Sequence, residues 1–378
     1  MMHTRTLSPD VSADLGATST VLDAHGERIA NADLDPWITD VDTAMVQRLY
    51  LDMAVVRRID TEGVALQRQG QLGLWAPCLG QEAAQVGTAR ALRRGDFAFP
   101  SYRELGVSYV RGARSEDFVR MWRGTSHSAF NPFDINTASP QIIIGAQTLH
   151  AVGYALGIQM DGDDHIAAAY FGDGATSQGD VNEAMVFASS FNAPVVFVCQ
   201  NNQWAISEPV GVQSAFTLAG RAPGFGIPSM RVDGNDVLAC LAAMRWATHR
   251  ARSGAGPTFI EAVTYRMGPH TTADDPTRYR DDEEVERWRR RDPLTRVESY
   301  LRSVGGFDEA FGRSVHERAE QAGAELRAAC LALEAGAPLS VFDHVYREPH
   351  TGLQRQRTEY AAYLDSFIAD GSEEGIGR

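Results

Sequence analysis

The centre of this chain alternates in a way that leaves few folds open to it. HIAAAYF (165–171) is apolar at nearly every position, residues 178–191 carry a helical pattern, and PVVFVCQ (194–200) repeats the apolar run. Strands that are apolar throughout, and not only at every second residue, are buried on both faces. Residues 165–200 have the size of a βαβ crossover, so the two strands are expected to run parallel. A helix over 236–252 opens at Gly234-Asn235-Asp236, stops before Gly254, and feeds a third strand, PTFIEAVTY (257–265). The expectation is an α/β, three-layer αβα architecture around a parallel central sheet.

The flanks read differently. Residues 1–40 are polar and rich in Asp, Ser and Thr, and are expected to form a flexible N-terminal arm. Val46, Leu49, Tyr50, Met53 and Val56 recur at helical spacing, and further helices are predicted over 80–93 and 103–123, separated by the FAFPSYREL segment. From 281 onward the pattern is charged and helical, continuing through 307–335. The chain therefore divides into an arm (1–40), one α/β domain (41–345) and a C-terminal extension (346–378) lying on a surface. There is no internal repeat.

Composition removes several functions. A net charge of -14 argues against a nucleic-acid partner, because phosphate backbones select basic surfaces. All 35 cationic residues are arginine, which excludes lysine Schiff-base chemistry, pyridoxal phosphate attachment and a Walker-type phosphate loop. Any bound phosphate must be held by arginine, backbone amides, histidine or a metal. Cys78, Cys199, Cys240 and Cys330 are widely spaced and read as buried, reduced residues. With no secretory signal and no membrane span in the sequence, the expected location is cytoplasmic.

Three polar loops follow the three strands: Gly172-Asp173-Gly174, then Asn201-Asn202, then a segment carrying Arg266, His270 and Asp274-Asp275. Ligands of open parallel sheets bind outside the carboxyl ends of the strands, so these loops are expected to converge. The glycines let backbone approach a phosphate, and amides at a strand-to-helix turn form an anion cradle. Asp173 supplies one hard oxygen, Asn202 a second and the Trp204 carbonyl a third. Two diphosphate oxygens and a water complete the octahedral shell that Mg2+ requires. A Gly-Asp-Gly triplet alone is an ordinary turn, and an Asn-Asn pair alone says nothing. The signal is their joint placement after apolar strands. A Rossmann dinucleotide site is the nearest alternative, but its third glycine falls on Ser177, and Phe191-Asn192-Ala193 lacks the expected acid.

YFGDGATSQGDVNEAMVFAS…PVVFVCQNNQWAIS resembles the thiamine diphosphate motif of the alpha subunits of 2-oxo acid dehydrogenase complexes. The likeness extends over roughly residues 45–345 through FPSYREL and IIIGAQTLHAVGYALG. RAPGFGIPSMRVDGNDV and TYRMGPHTTADDPTRYR are most similar to the branched-chain 2-oxo acid dehydrogenase alpha subunit. The resemblance implies the thiamine diphosphate-binding fold, with Asp173, Asn202 and the Trp204 carbonyl as Mg2+ ligands. It implies contacts from Tyr102, Arg103, Gly174, Ala175 and His270 to the diphosphate side, with the backbone of Ile142 and Ile144 facing the aminopyrimidine. His270 would also take part in catalysis. His127 falls outside the clear alignment and is read as surface.

Departures are equally specific. Gln200 stands where some branched-chain relatives carry a phosphate-binding arginine. Ala146-Gln147 replaces a Thr-Gln pair of the family's potassium site, which puts a bound potassium in doubt. Thr271 occupies the place of a regulatory phosphoserine in mitochondrial relatives, but nothing in this chain points to a kinase, so no phosphorylation is predicted.

Thiamine catalysis also needs a carboxylate against the pyrimidine, and no second α/β module remains in this chain to carry it. The resemblance implies a separate beta subunit in a two-alpha, two-beta heterotetramer. The implied reaction decarboxylates a branched 2-oxo acid and passes the acyl unit to a lipoyl-bearing acyltransferase component. The alternatives are pyruvate (or acetoin) as substrate and, from a different class, a non-catalytic assembly subunit.

Overall fold

The computed structural model describes residues 18–125 and 130–369. Helix α1 (Thr43–Arg68) is capped by Asp42, whose carboxylate accepts Met45 N–H at 2.8 Å. It is followed by α2 (Glu82–Arg90), β1 (Phe97–Phe99), α3 (Leu105–Arg111), α4 (Ser115–Arg123), α5 (Pro132–Ile135) and α6 (Ala146–Asp161). The centre comprises β2 (Ala167–Gly172), α7 (Gly179–Ser190), β3 (Val195–Asn201), the hairpin of β4 (Trp204–Ala205) with β5 (Glu208–Pro209), and α8 (Val210–Gln213). Then come β6 (Ser229–Asp233), α9 (Val237–Arg252), β7 (Thr258–Val263), α10 (Asp282–Arg289), α11 (Pro293–Ser303), α12 (Glu309–Ala332) and α13 (Thr351–Ala369).

The main sheet has the order β1-β2-β3-β7-β6, and every pair in it is parallel. Successive side chains of one strand enter opposite cores. Ala168, Tyr170, Val196, Val198 and Ile260 pack with α1, α2 and α9 on one face. Ala167, Ala169, Phe171, Val195, Phe197 and Phe259 pack with α6 and α7 on the other. The three-layer αβα expectation therefore holds, for the reason the sequence offered: both faces are covered, so both need apolar residues. The four cysteines are buried and free. No helix among the described residues is long and apolar enough to cross a membrane.

Three expectations change. FAFPSYREL contains edge strand β1, and β6 forms the other edge. Neither was legible, because a three-residue strand and a half-polar SMRVD run carry little periodicity. The predicted helix over 103–123 is two helices, because Gly112 terminates α3 at φ 108° before α4 starts.

The expected arm is corrected from residue 18 onward; residues 1–17 lie outside the described residues. Ser19 pairs with the outer edge of β6, its N–H donating to Arg231 O at 2.9 Å and its O accepting Asp233 N–H at 3.0 Å. Val21, Leu22 and Leu34 are fully buried. An edge strand leaves backbone groups unpaired, and this segment covers them. Its polar composition hid the few apolar anchors that suffice.

Asp236 joins this segment to the core. One carboxylate oxygen accepts Val21 and Leu22 N–H at 2.6 and 2.7 Å, and the other caps α9 through Leu238 and Ala239 N–H at 3.0 and 3.1 Å. Asp236→Ala leaves four buried donors unpaired, and about 3 kcal/mol of stability is expected to be lost. Urea unfolding checks the loss, and proteolysis should then cut first within residues 18–38.

Candidate functional site

The carboxyl ends of β2, β3 and β7 open onto one cavity of about 440 Å³. Its first wall begins where β2 runs out at Gly172. Asp173 turns inward and is 1% exposed. Its Oδ1 accepts Asn202 N–H at 3.2 Å and its Oδ2 accepts the Gln213 amide at 3.1 Å. Among the described residues no arginine or histidine pairs with it, and burial pushes its carboxyl up to about 6. A Cβ on Gly174 would lie 2.7 Å from the Ala205 Cβ, so the two loops meet because residue 174 has none.

Asn202 closes the same wall from β3. Its Nδ2 donates to Gln81 Oε1 at 3.1 Å, while its Oδ1 accepts Trp204 N–H at 3.2 Å. The Trp204 carbonyl accepts Arg266 Nη1–H at 3.1 Å and keeps a second lone pair. A buried carboxylate without a counter-cation, an amide oxygen and a backbone carbonyl are the donor types that hard divalent cations select. The residues thus fit Mg2+. Asp163, Asp164 and His165, a group that could also hold a metal, precede β2 at the opposite end of the sheet and are largely exposed.

The second wall has the opposite character. Arg103 is buried and donates to Pro77 O at 2.6 Å and to His270 O at 2.8 Å. Arg266 is fully buried and donates to Trp204 O, to Ile206 O at 2.8 Å and to the Tyr279 hydroxyl at 2.9 Å. Among the described residues neither guanidinium forms a direct ion pair: Arg103 lines the cavity, while Arg266 is packed against His270 and reaches the Asp274 carboxylate only through the Tyr279 hydroxyl. Burial, and then Arg103, pull Arg266 down to about 10, which leaves it cationic at neutral pH.

His270 lies between them, with Nδ1 3.1 Å from Arg103 Nη2 and 3.4 Å from Arg266 Nη1. Both neighbours are donors, so Nδ1 accepts and the proton resides on Nε2. Burial, then Arg103 and Arg266, hold its pKa down near 3. His270 therefore stays a neutral hydrogen-bond donor across the physiological range. Its backbone N–H is fixed by Asp274 at 2.7 Å, and the Tyr102 ring stands edge-on at 6.2 Å.

Ile142 and Ile144 form an exposed rim beside Gly145, whose φ of 86° opens α6. Tyr102, Arg103, Ile142, Ile144, Asp173, Gly174, Ala175, Asn202, Trp204 and His270 all line this one cavity. His127 lies outside the described residues. Gln200, instead of leaving a gap, donates to Glu104 at 2.6 Å, a buried carboxyl pushed up by burial. Gln147 donates to Tyr170 O at 2.8 Å. Gln81 and Gln213, which hold Asn202 and Asp173, were not anticipated. They come from elements remote in sequence, and no motif marks them.

The family model described as the dehydrogenase E1 component matches residues 50–327. The chain belongs to the dehydrogenase E1 component family. This E1 chain is 51% identical over 327 residues to 3-methyl-2-oxobutanoate dehydrogenase subunit alpha of Mycobacterium tuberculosis, covering 86% of the chain and 89% of that relative. It is 41% identical over 345 residues to the pyruvate dehydrogenase E1 component subunit alpha of Staphylococcus epidermidis (90% and 91% covered). The figure is 38% over 344 residues for the Acholeplasma laidlawii protein of the same name (89% and 98% covered). The family is thiamine diphosphate-dependent.

The charge on Asp173 gives this E1 chain a pH signature. Its folded value near 6 lies above the unfolded 3.8, so the unfolded state loses its proton first as pH rises. Below 3.8 both states are protonated and stability is unaffected; above 6 the penalty is complete, at about 3 kcal/mol. Asp173→Asn removes it. In thermal unfolding of the metal-free chain, the variant is expected to exceed the parent at pH 7.5, and the gap should shrink as pH falls toward 4. A gap of constant size across that range contradicts the assignment.

Proposed function

We propose that the chain is the alpha subunit of a branched-chain 2-oxo acid dehydrogenase (3-methyl-2-oxobutanoate dehydrogenase, 2-methylpropanoyl-transferring) that holds thiamine diphosphate through Mg2+. One observation carries this reading. The cavity has a wall that needs a cation, Asp173, facing a wall that suits an anion, Arg103 and the His270 Nε2–H, with Arg266 buried against His270. A Mg2+–diphosphate unit satisfies both at once. Asp173, Asn202 and the Trp204 carbonyl would hold the metal. Arg103, Tyr102, the Gly174 and Ala175 backbone and the His270 Nε2–H would hold the diphosphate side, with the Ile142 and Ile144 backbone beside the aminopyrimidine.

When bound, thiamine diphosphate supplies the electron sink for loss of CO2 from the 2-oxo acid. The chain contributes position and field. His270, kept neutral by burial and by the two guanidiniums, has one Nε2–H to offer, either to the diphosphate or to a developing oxyanion. Leu74, Trp122 and Ile206 line the cavity with apolar surface, which suits a branched alkyl group and excludes water.

The pyrimidine carboxylate comes from a partner. Glu104, the other carboxyl of the cavity, has its oxygens taken by Ser101 N–H and Gln200 Nε2. This supports a beta subunit in a two-alpha, two-beta assembly that delivers its acyl group to a lipoyl-bearing acyltransferase. The reading places the chain in the cytoplasm, in branched-chain amino acid catabolism; four reduced, buried cysteines agree with that compartment. The identity of 51% to the branched-chain relative, against 41% to a pyruvate one, favours the branched substrate.

Steady-state rates of the assembled enzyme should favour 3-methyl-2-oxobutanoate over pyruvate, and the chain alone, given cofactor and Mg2+, should turn over neither. A pyruvate preference reverses the substrate assignment. In calorimetry, Asp173→Ala is expected to abolish Mg2+-dependent thiamine diphosphate binding. An assembled parent protein that fails to bind the cofactor supports the assembly-subunit reading instead.

A further inference from the structure

Gln81 is a cavity residue to which none of these roles falls. It is 1% exposed, and its two ends behave differently: Oε1 accepts Asn202 Nδ2–H at 3.1 Å, while Nε2 is buried with no hydrogen-bond partner among the described residues. A primary amide is nearly symmetric in shape, so packing alone does not decide which end of Asn202 faces a cation. Only the oxygen end can ligate.

Two contacts decide it. Trp204 N–H, two residues on, donates to Asn202 Oδ1 at 3.2 Å, and Gln81 receives the other end. Turning Asn202 alone sets donor against donor at Trp204 N–H and acceptor against acceptor at Gln81 Oε1. Turning both amides together keeps their mutual bond but points Asn202 Nδ2 at Trp204 N–H. The pair therefore has one satisfied setting, and keeping it leaves a buried Gln81 N–H unpaired.

Gln81 is also held where it cannot drift. Asp60 accepts Trp75 Nε1–H at 2.8 Å and Cys78 N–H at 3.0 Å, fastening the preceding loop to α1. Gly63 gives the indole its space, since a Cβ there would lie 2.2 Å from the ring. Gly80 sits at φ 95° with its missing Cβ 2.4 Å from Tyr265 O, and its own carbonyl accepts the Thr264 hydroxyl at 2.7 Å. The loop that carries Gln81 also presents Pro77 O to Arg103.

We infer that Gln81 is a positioning residue for the metal site, orienting the Asn202 amide so that its oxygen meets the cation. The inference rests on the Mg2+ reading above. Outer-shell partners of this kind are worth about 10- to 100-fold in metal affinity.

The test uses the full chain assembled with its beta partner, thiamine diphosphate at saturation, and Mn2+ as an electron-paramagnetic-resonance probe. Gln81→Met should weaken Mn2+ binding by about 10- to 100-fold. Gln81→Glu keeps the acceptor and should stay within about threefold of the parent. The deciding comparison is with Asn202→Asp, whose two ends are both oxygen. In that background, adding Gln81→Met should cost less than about threefold, because there is no orientation left to choose. An equal loss in both backgrounds, no loss in either, or a Gln81→Glu as weak as Gln81→Met overturns the inference. Asp173→Ala separates the two claims: undiminished Mn2+ binding there sinks the metal reading itself, whereas loss there with an unaffected Gln81→Met sinks only the role of Gln81.

Discussion

The functional part of this chain depends on the hydrogen-bond register among β2, β3 and β7. Gly172 pairs with Gln200, and Gln200 pairs with Ala262, so the three strands end nearly level. Their loops then leave the sheet side by side. Because side chains alternate between faces, a one-residue slip would exchange the two apolar cores and carry Asp173 away from Asn202. The burial of Tyr170, Val198 and Ile260 on one face, and of Phe171, Phe197 and Phe259 on the other, holds that register in place.

What the register delivers is a cavity in electrostatic imbalance. Among the described residues Asp173 has no direct ion-pair partner, and neither has Arg103 on the facing wall or Arg266 packed against His270. Each arrangement is costly by itself, since an unpaired buried charge loses its hydration. The costs fall on opposite walls of one space, so a ligand with a positive and a negative part relieves both. The absence of lysine belongs to the same picture. A guanidinium can satisfy several carbonyls and remain charged when buried, whereas a buried ammonium loses its proton readily. The neutral state of His270 follows from its burial and then from the two cations that flank it.

Much of the fold was legible. Apolar runs marked β2, β3 and β7 to within two residues, and Gly234-Asn235-Asp236 marked the start of α9. The ten site residues named from motif and resemblance do share one cavity. The edge strands β1 and β6 were missed because a three-residue run and a half-polar five-residue run carry little periodicity. Residues 1–40 read as an arm because composition was averaged over a stretch in which Val21, Leu22, Leu34 and Ile38 are the few buried anchors.

The amino-acid sequence by itself determined the layered architecture and the chemistry available at each strand end, because apolar periodicity and loop composition are local properties of the chain. Only the tertiary structure decided how those groups are held. Gln81, Gln213 and Asp60 reach the site or its supporting loop from segments far apart in sequence, and nothing in their own surroundings announces a partner. The orientation of an amide, the tautomer of an imidazole and the charge left over on a guanidinium depend on which neighbours folding brings within hydrogen-bond reach.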